Sequence, residues 1–290
     1  MKKRVFDLTK EDVDSLNRIE LIQSIQRSEG RTLMVENVVS MEPPIDLVSG
    51  VELAAGFGAD MITFNCLDVF KPEVKILGGT TLSIAKVKQL TGRIVGCNLE
   101  PVPEDITDIA VGRSVTVESV KQAIDLGLHY IMLTGNPGMA VSQETILAAI
   151  KLVRSLSDEI VIIAGKMHGG GIGNDYNLDC ISDFASAGAD IMMFPAPYTT
   201  PGVSPKLAAK MMKKVHENQM LGMLAIGTSQ EGASESYIEK VAMESKAAGA
   251  DIVHIGDGGF GGIAPPENII TMGMAIRGRR HQYKRMVNRR

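Results

Sequence analysis

The sequence of 290 residues predicts an α/β protein with the architecture of a (β/α)8 (TIM) barrel, a ring of eight parallel strands surrounded by helices. Eight short runs rich in Val, Ile, Leu and Met alternate with segments of helical periodicity. The runs are apolar throughout rather than at every second position, which is typical of parallel strands covered on both faces. Barrels of about 250 residues form one domain, so the length does not require a second domain.

The composition agrees with a large core built almost without aromatic rings. Hydrophobic residues make up 44% of the chain and there is no Trp, so aliphatic side chains and Met must fill the interior. The net charge of −4 argues against a general nucleic-acid-binding surface. The three cysteines form no CxxC pair, as is usual in a reducing compartment. Neither a signal sequence nor a transmembrane stretch is evident, so we expect a cytoplasmic protein without membrane contact.

The predicted strands follow one another along the whole chain. Each run is followed by a loop rich in Gly, Pro or Asn and then, in most cases, by a helical segment. Because no clear GxGxxG motif follows the first run, the regular alternation favours a closed barrel over an open dinucleotide-binding sheet. The runs are residues 33–39, 61–65, 93–99, 130–135, 160–165, 191–196, 221–227 and 252–256.

The segments between the strands carry helix periodicity and capping residues. Ser142 and Ser234 each place a hydroxyl before such a segment, with an acidic residue in its first turn. The clearest predicted helices are residues 81–90, 116–127, 142–156, 204–218 and 234–249, with an extra amphipathic helix at 10–28 and a last helix at 267–276. We assign residues 1–290 to one domain, with 1–30 as a helical extension and 278–290 as a basic tail.

A short motif marks the entry to every second predicted strand. Gly-Ala-Asp stands at 58–60, 188–190 and 249–251, and Gly-Leu-His at 127–129 is a weaker copy. The last three copies are spaced 61 residues apart, about the length of two βα units. A glycine commonly ends a helix in the left-handed conformation, so the motif predicts a helix end directly before a strand. Its repetition favours eightfold closure.

In a barrel of this type, functional groups lie in the loops after the C-terminal ends of the strands. This rule restricts the candidates to polar residues that end or directly follow the predicted strands. They are Glu36, Asn37, Asn65, Asp68, Asn98, Glu100, Thr134, Asn136, Lys166, His168, Tyr198, Thr199, Thr228, Ser229, Glu231, His254 and Asp257.

The last two predicted strands end in glycine-rich loops, at residues 227–232 and 256–262. Glycines let backbone N–H groups approach a phosphate, and barrels customarily bind phosphate after strands seven and eight. On these loops the chain resembles the phosphate-binding (β/α)8 barrel superfamily, which includes sugar-phosphate epimerases, aldolases and barrels of tryptophan and histidine biosynthesis. The alternative is that the glycines only shape tight turns. The predicted substrate- or phosphate-binding residues are Gly227, Thr228, Ser229, Gly256, Gly258 and Gly259, together with Asn65, Asn98 and Asn136.

Lys166 and His168 follow predicted strand five and precede a run of glycines at 169–171 and 173. Residues two apart share one side of an extended chain, so both can reach one substrate. A buried lysine with a lowered pKa can form a Schiff base, whereas a charged lysine would stabilise an oxyanion while the histidine moves the proton. The alternative is an ion-paired lysine and a surface histidine. The glycine run is suited to a mobile lid.

Glu36, Glu100 and Asp257 lie at the mouths of predicted strands one, three and eight. Strands eight and one are neighbours in a closed barrel, so Glu36 and Asp257 are expected to converge. Carboxyl groups in a cleft can act as acid and base, or can bind a divalent cation such as Mg²⁺ with Asn65 or Asn98. The alternative is that each pairs with a lysine or arginine. Zinc is not expected, because the histidines lack ligand spacing, and we assign no metal ligand.

Together these features predict a lyase or isomerase, aldolase- or epimerase-like, acting on a small phosphorylated sugar or keto acid. Lys166 is the predicted electrophile or Schiff-base former, with His168 and Glu36 as acid and base. Glu100 and Asp257 are further catalytic candidates. A second hypothesis is a magnesium-dependent enzyme of the phosphoenolpyruvate mutase and isocitrate lyase superfamily, because residues 166–170 are similar to a loop of that family. The paired aspartates that hold magnesium there are not evident near strand two.

A third hypothesis is a non-enzymatic metabolite-binding or scaffold barrel. The basic tail would then dock a partner such as an acidic subunit surface or RNA. The simpler interpretation of the tail is a solvated, partly helical segment. We expect a small anionic metabolite as ligand and no nucleic-acid partner, and a homo-oligomer is an open alternative because barrels often pair.

Overall fold

A computed structural model describes residues 3–169 and 178–287 and shows the predicted closed barrel. Each barrel strand pairs in parallel with the next along the chain, and the last pairs with the first. The eight predicted strands are confirmed, with ends that shift by one or two residues. The strands are β1 (Thr32–Val38), β2 (Met61–Asn65), β3 (Glu73–Ile76), β4 (Thr80–Ser83), β5 (Ile94–Leu99), β6 (Tyr130–Leu133), β7 (Val161–Gly165), β8 (Ile191–Pro195), β9 (Leu221–Ile226) and β10 (Ile252–Ile255). All but β3 and β4 belong to the barrel.

The helices surround the strands, and hydroxyl caps begin several of them. Ser142 and Ser234 accept backbone N–H groups of the first turns that follow them, as predicted. The helices are α1 (Lys10–Asp14), α2 (Arg18–Ser28), α3 (Gly50–Gly56), α4 (Ile84–Thr91), α5 (Val117–Asp125), α6 (Gln143–Leu156), α7 (Cys180–Ala187), α8 (Pro205–Glu217), α9 (Glu235–Ala247) and α10 (Pro266–Val287).

Three predicted helices differ from the structure. The helix expected at 10–28 is broken, because Asn17 caps α2 by accepting the N–H of Glu20. The helix expected at 81–90 begins only at Ile84, because β4 pairs with β3 as an antiparallel hairpin. The last helix continues to Val287, with a kink at Gly278. Side-chain capping and strand pairing therefore override helix periodicity at these positions.

The core has two layers, one inside the barrel and one between the strands and the helices. Met, Ile and Val fill most of the interior, as the low aromatic content requires. Tyr130 is the large interior ring, and its hydroxyl lies 2.8 Å from Oγ1 of Thr63. Gly96 makes room for that ring, because a Cβ there would lie 2.4 Å from it. The interior is thus a packed core rather than a channel.

The repeated Gly-Ala-Asp motif forms hydrogen bonds at the N-terminal end of the barrel. Its glycines have positive φ and end helices, as predicted. Its third residue accepts a backbone N–H from the preceding barrel strand and donates its own N–H to the carbonyl of the same residue. These pairs are Asp60 with Leu33, Asp190 with Ile162, Asp251 with Gly222, and His129 with Val95. The motif therefore holds neighbouring strands in register at four places.

The C-terminal basic segment packs against this end of the barrel. Asp60 lies 2.5 Å from Nη1 of Arg277 and 2.9 Å from Nε of Arg285, and all three groups are buried. Gln282 is also buried and accepts a hydrogen bond from Arg277. The prediction of a solvated tail is therefore wrong for Gln282 and Arg285, while residues 288–290 lie outside the described residues. Across the described ranges, no helix combines the length and the apolarity needed to cross a membrane.

Replacing Asp60 should destabilise the protein strongly. In Asp60→Asn, two buried guanidinium groups lose their counter-charge, so we expect the free energy of unfolding to fall by about 3–5 kcal/mol. The matched control is Lys284→Ala, which breaks a 2.7 Å ion pair between Asp7 and a half-exposed lysine and should cost at most about 1 kcal/mol. Urea unfolding followed by circular dichroism measures both. Equal losses in the two variants would contradict this assignment.

Candidate active site

A cavity of about 170 Å³ lies at the C-terminal end of the barrel. Its walls come from residues that end or follow the barrel strands, where functional groups were expected. The predicted site residues that line it are Glu36, Asn65, Asn98, Asn136, His168, Gly227, Ser229, Asp257 and Gly258. Glu231 lines it too, and so do Thr134, Gly135, Pro137 and Met167. The structure therefore brings together residues from seven of the eight strand ends.

Two asparagine amides connect the carboxyl groups of Glu36 and Asp257. Nδ2 of Asn98 lies 2.5 Å from Oε1 of Glu36 and 3.1 Å from Oδ1 of Asn65. Nδ2 of Asn65 donates to Oδ2 of Asp257 at 2.7 Å. The expected convergence of Glu36 and Asp257 is thus present, and amides from β2 and β5 fix the position of both.

Glu36 has a second partner below the cavity floor. Nε2 of His254 lies 3.2 Å from Oε2 of Glu36, and the imidazole is fully buried among the barrel strands. One carboxylate oxygen therefore faces the imidazole while the other accepts from Asn98. This arrangement fixes Glu36 between two polar groups and leaves it little freedom to move.

Glu100 does not line the cavity in the described part of the chain. Its Oε1 accepts from Arg113 at 2.6 Å, and its two oxygens accept from the backbone and the side chain of Asn136. Asn136 in turn reaches Asn65 at 3.2 Å. Glu100 is therefore paired with an arginine, the alternative left open by the sequence, and acts as a support for Asn136. Arg113 was not among the sequence candidates, because it lies in a long loop without a motif.

Burial gives Asp257 and His168 opposite protonation states. Burial, followed by the negative charge of Glu36, raises the pKa of Asp257 to about 8, against the lowering effect of the Asn65 hydrogen bond. Burial and then the nearby Lys166 lower the pKa of His168 below its usual range. Near neutral pH, Asp257 therefore holds a proton while His168 is in the neutral form, and both line the same cavity.

Lys166 lies beside this cavity rather than at its wall. β7 ends at Gly165 and the chain bends at Met167 and His168, so the extended segment on which the common orientation of Lys166 and His168 was predicted is not formed. Among the described residues, Met167 and His168 line the cavity from this loop. Nζ of Lys166 lies 3.4 Å from the carbonyl of Gly169, and burial lowers the pKa of the amine. The predicted glycine lid falls largely on residues 170–173, which lie outside the described residues.

The glycine loops after β9 and β10 pack against a carboxyl group of the protein. A Cβ at Gly256 would lie 2.2 Å from Oε1 of Glu231, and a Cβ at Gly258 would lie 3.0 Å from Oε2. At Gly259, a Cβ would lie 2.2 Å from the carbonyl of Ile263. Close packing at Gly256 and Gly259 therefore favours the turn-shaping alternative left open by the sequence, and phosphate binding by these loops stays a prediction.

The other residues predicted to hold a phosphate also have partners within the chain. Thr228 donates its hydroxyl to the carbonyl of Thr199 at 2.9 Å and also contacts Gln230. A Cβ at Gly227 would lie 2.1 Å from Sδ of Met167. Ser229 adopts a left-handed conformation with φ of 69°. Within residues 3–169 and 178–287, no three His, Cys, Asp or Glu side chains are grouped to hold a metal, so Mg²⁺ stays a prediction.

Comparison with known proteins gives a family and a fold. A family model described as "Domain of unknown function (DUF7916)" matches residues 6–290. No curated protein matches the sequence. Among solved structures, the carboxyl transferase domain of Rhizobium etli pyruvate carboxylase with 3-bromopyruvate is 14% identical with a TM-score of 0.55, over 95% of this chain and 51% of that one. An archaeal fructose 1,6-bisphosphate aldolase is 15% identical with a TM-score of 0.52, over 87% and 95%.

The chain spans about half the length of the carboxyl transferase domain that it matches. Similarity at this level of identity shows the fold alone. Together with the closed parallel sheet, it confirms the predicted (β/α)8 barrel.

The raised pKa of Asp257 should make its contribution to stability depend on pH. The unfolded state releases this proton near pH 3.9 and the folded state near pH 8, so ionising Asp257 costs stability as pH rises between these values. Asp257→Asn removes this cost. We expect the free energy of unfolding of the variant, relative to that of wild type, to increase by about 1–3 kcal/mol between pH 5 and 8 and to stay constant above pH 8.

Urea unfolding at a series of pH values measures this difference. The control is Asp105→Asn, which changes an exposed aspartate in the loop after β5 and should follow the wild-type curve. Parallel curves for wild type and Asp257→Asn would show that Asp257 ionises normally in the folded state.

Proposed function

The chain belongs to the family described as DUF7916, and from the geometry of its cavity we propose that it is a lyase or isomerase that abstracts a proton next to the carbonyl group of a small keto acid. The observation that carries this proposal is that Asp257, protonated near neutral pH, and neutral His168 line the same cavity. General acids and bases work best when their pKa lies near the working pH. The pKa of Asp257 is raised into this range, and the lowered pKa of His168 keeps the imidazole in the neutral form that a base requires.

The proposed step moves two protons. Neutral His168 takes the proton from the carbon next to the carbonyl, and Asp257 gives its proton to the carbonyl oxygen, which yields an enol. Return of a proton to the other face of the same carbon gives an isomerase. In a lyase the enol is instead the product of C–C cleavage: a hydroxyl group on the second carbon from the carbonyl gives its proton to His168, the C–C bond breaks to release an aldehyde, and Asp257 protonates the carbonyl oxygen. Asn65 donates to Oδ2 of Asp257, so Oδ1 is available to carry the proton. Glu36 acts on Asp257 through its charge and not as the base predicted from the sequence.

The cavity favours a keto acid over a phosphorylated sugar. Its volume of about 170 Å³ lies below the roughly 300–1,000 Å³ of ordinary ligand pockets, so the substrate is small. The carboxyl groups of Glu36 and Glu231 line it, and their negative charge would repel a phosphate dianion more strongly than a single carboxylate. Among the similar barrels, the carboxyl transferase domain is described with 3-bromopyruvate, a small keto acid, which agrees with this substrate class.

A second candidate mechanism is Schiff-base formation by Lys166. It is favoured by burial, which lowers the pKa of this amine and so makes the nucleophilic neutral form more accessible. It is disfavoured by the position of Lys166, which does not line the cavity in the described part of the chain. The two mechanisms differ in whether substrate becomes covalently bound.

Exchange of substrate hydrogen for solvent deuterium tests the proton abstraction directly. Wild-type protein incubated in D₂O with a panel of small 2-keto acids should accelerate loss of the proton NMR signal of the carbon next to the carbonyl. Asp257→Asn and His168→Gln should each slow this exchange by about 10²–10⁴-fold. The control Asp105→Asn should exchange at the wild-type rate. Undiminished exchange in both site variants would exclude the proposed roles.

Borohydride trapping separates the two mechanisms. We expect no covalent adduct on Lys166 when an exchanging keto acid is treated with borohydride, as judged by mass spectrometry. Lys166→Met should accordingly lose less than the roughly 10²-fold that removal of a general acid or base costs. A stable adduct on Lys166, absent in the variant, would establish the Schiff-base mechanism instead.

A further inference from the structure

Glu231 lies within the first of the two glycine-rich loops, in the turn that follows β9. The turn comprises Gln230–Gly232, and Nδ2 of Asn268 in α10 donates to the backbone carbonyl of Glu231 at 2.6 Å. The same amide donates to the carbonyl of Ala233 at 2.9 Å. Helix α10 therefore fixes this turn from behind, and the Glu231 side chain enters the barrel mouth from a rigid backbone.

The carboxyl group of Glu231 fills the space that the glycines open. The residue is only 1% exposed, and it lines the cavity. Its two oxygens lie 2.2 Å and 3.0 Å from the positions that Cβ atoms would take at Gly256 and Gly258. The absence of side chains at these two positions thus accommodates an internal carboxyl group, at the loops where barrels customarily place a phosphate.

This carboxyl group is poorly satisfied for a buried group. The N–H of Gly258 faces it and acts to lower its pKa, yet Oε2 itself makes no hydrogen bond of ordinary geometry. Burial is the largest influence and raises the pKa of Glu231, and the charge of Glu36 adds to that effect. An unpartnered buried oxygen is costly, so its place at the cavity wall calls for a functional reason.

We propose that Glu231 is a specificity-determining residue, whose carboxyl group occupies the position of a ligand phosphate and thereby excludes phosphorylated compounds from the cavity. The exclusion has a steric part, because two groups cannot share the space beside Gly256 and Gly258. It also has an electrostatic part, because an ionised Glu231 repels a phosphate dianion. The inference rests on the proposed function in one respect, that this cavity is the substrate site.

Removing the side chain should convert the loops into a phosphate site. Glu231→Ala vacates the space beside the glycines and leaves the Gly258 N–H facing it. The probe is inorganic phosphate at constant ionic strength, with the melting temperature as readout. The variant should melt roughly 2–4 °C higher at saturating phosphate, whereas wild type should show no phosphate-dependent shift. A crystal structure of the variant with phosphate should place the ion against residues 256–258.

Glu231→Gln is the matched control, because it keeps the shape of the side chain without its charge and should bind no phosphate. Should Glu231→Ala not fold, Glu231→Ser vacates the same space and keeps a polar group. The proposal would be overturned if wild type or Glu231→Gln bound phosphate as tightly as Glu231→Ala. It would also be overturned if neither Glu231→Ala nor Glu231→Ser bound phosphate, or if the phosphate bound elsewhere on the protein. None of these outcomes depends on turnover, so this inference and the proposed proton abstraction can fail separately.

Discussion

The pairing of β1 with β10 closes the barrel, and the candidate site depends on that closure. Val35 lies opposite Ile255 in this parallel pair, so Glu36 comes next to the residues that follow β10. The negative charge of Glu36 then acts on Asp257 across the closed seam. Without closure, these two carboxyl groups would lie on opposite edges of a sheet. The protonated state of Asp257 is therefore a product of the topology as much as of burial.

The two ends of the barrel use buried charge in different ways. At the N-terminal end, Asp60 is paired with Arg277 and Arg285 and accepts a backbone N–H, so its charge is compensated. At the C-terminal end, burial raises the pKa values of Asp257 and Glu231, and the side chain that donates to Asp257 is the neutral amide of Asn65. The ion-paired carboxylate holds strands in register, whereas a buried carboxyl group with a raised pKa keeps its proton and is available for reaction. The difference agrees with stability at one face and chemistry at the other.

The amide groups at the site explain how acidic side chains can be held close together. Asn98 lies between Glu36 and Asn65, and Asn65 donates to Asp257. Each amide offers both a donor and an acceptor, so the chain of contacts continues from one strand to the next. Asn136 extends it to Glu100 and Arg113 at the outer edge. Ligand binding by these asparagines stays a prediction from the sequence, and the structure shows that they position the carboxyl groups.

The features that depend on neighbouring residues along the chain could be predicted from the sequence. Apolar runs located the eight strands, glycines at 58, 127, 188 and 249 located helix ends, and the strand mouths located most of the cavity wall. Contacts between residues that are far apart in the sequence were shown by the three-dimensional structure. Arg285 reaches Asp60, Glu231 fills the space at Gly256, and the loop after Gly165 keeps Lys166 off the cavity wall. Helix periodicity and capping depend on residues a few positions apart, so the sequence shows them directly. Ion pairs, steric exclusion and pKa shifts depend on distances between residues that are far apart in the sequence, so they require the three-dimensional structure.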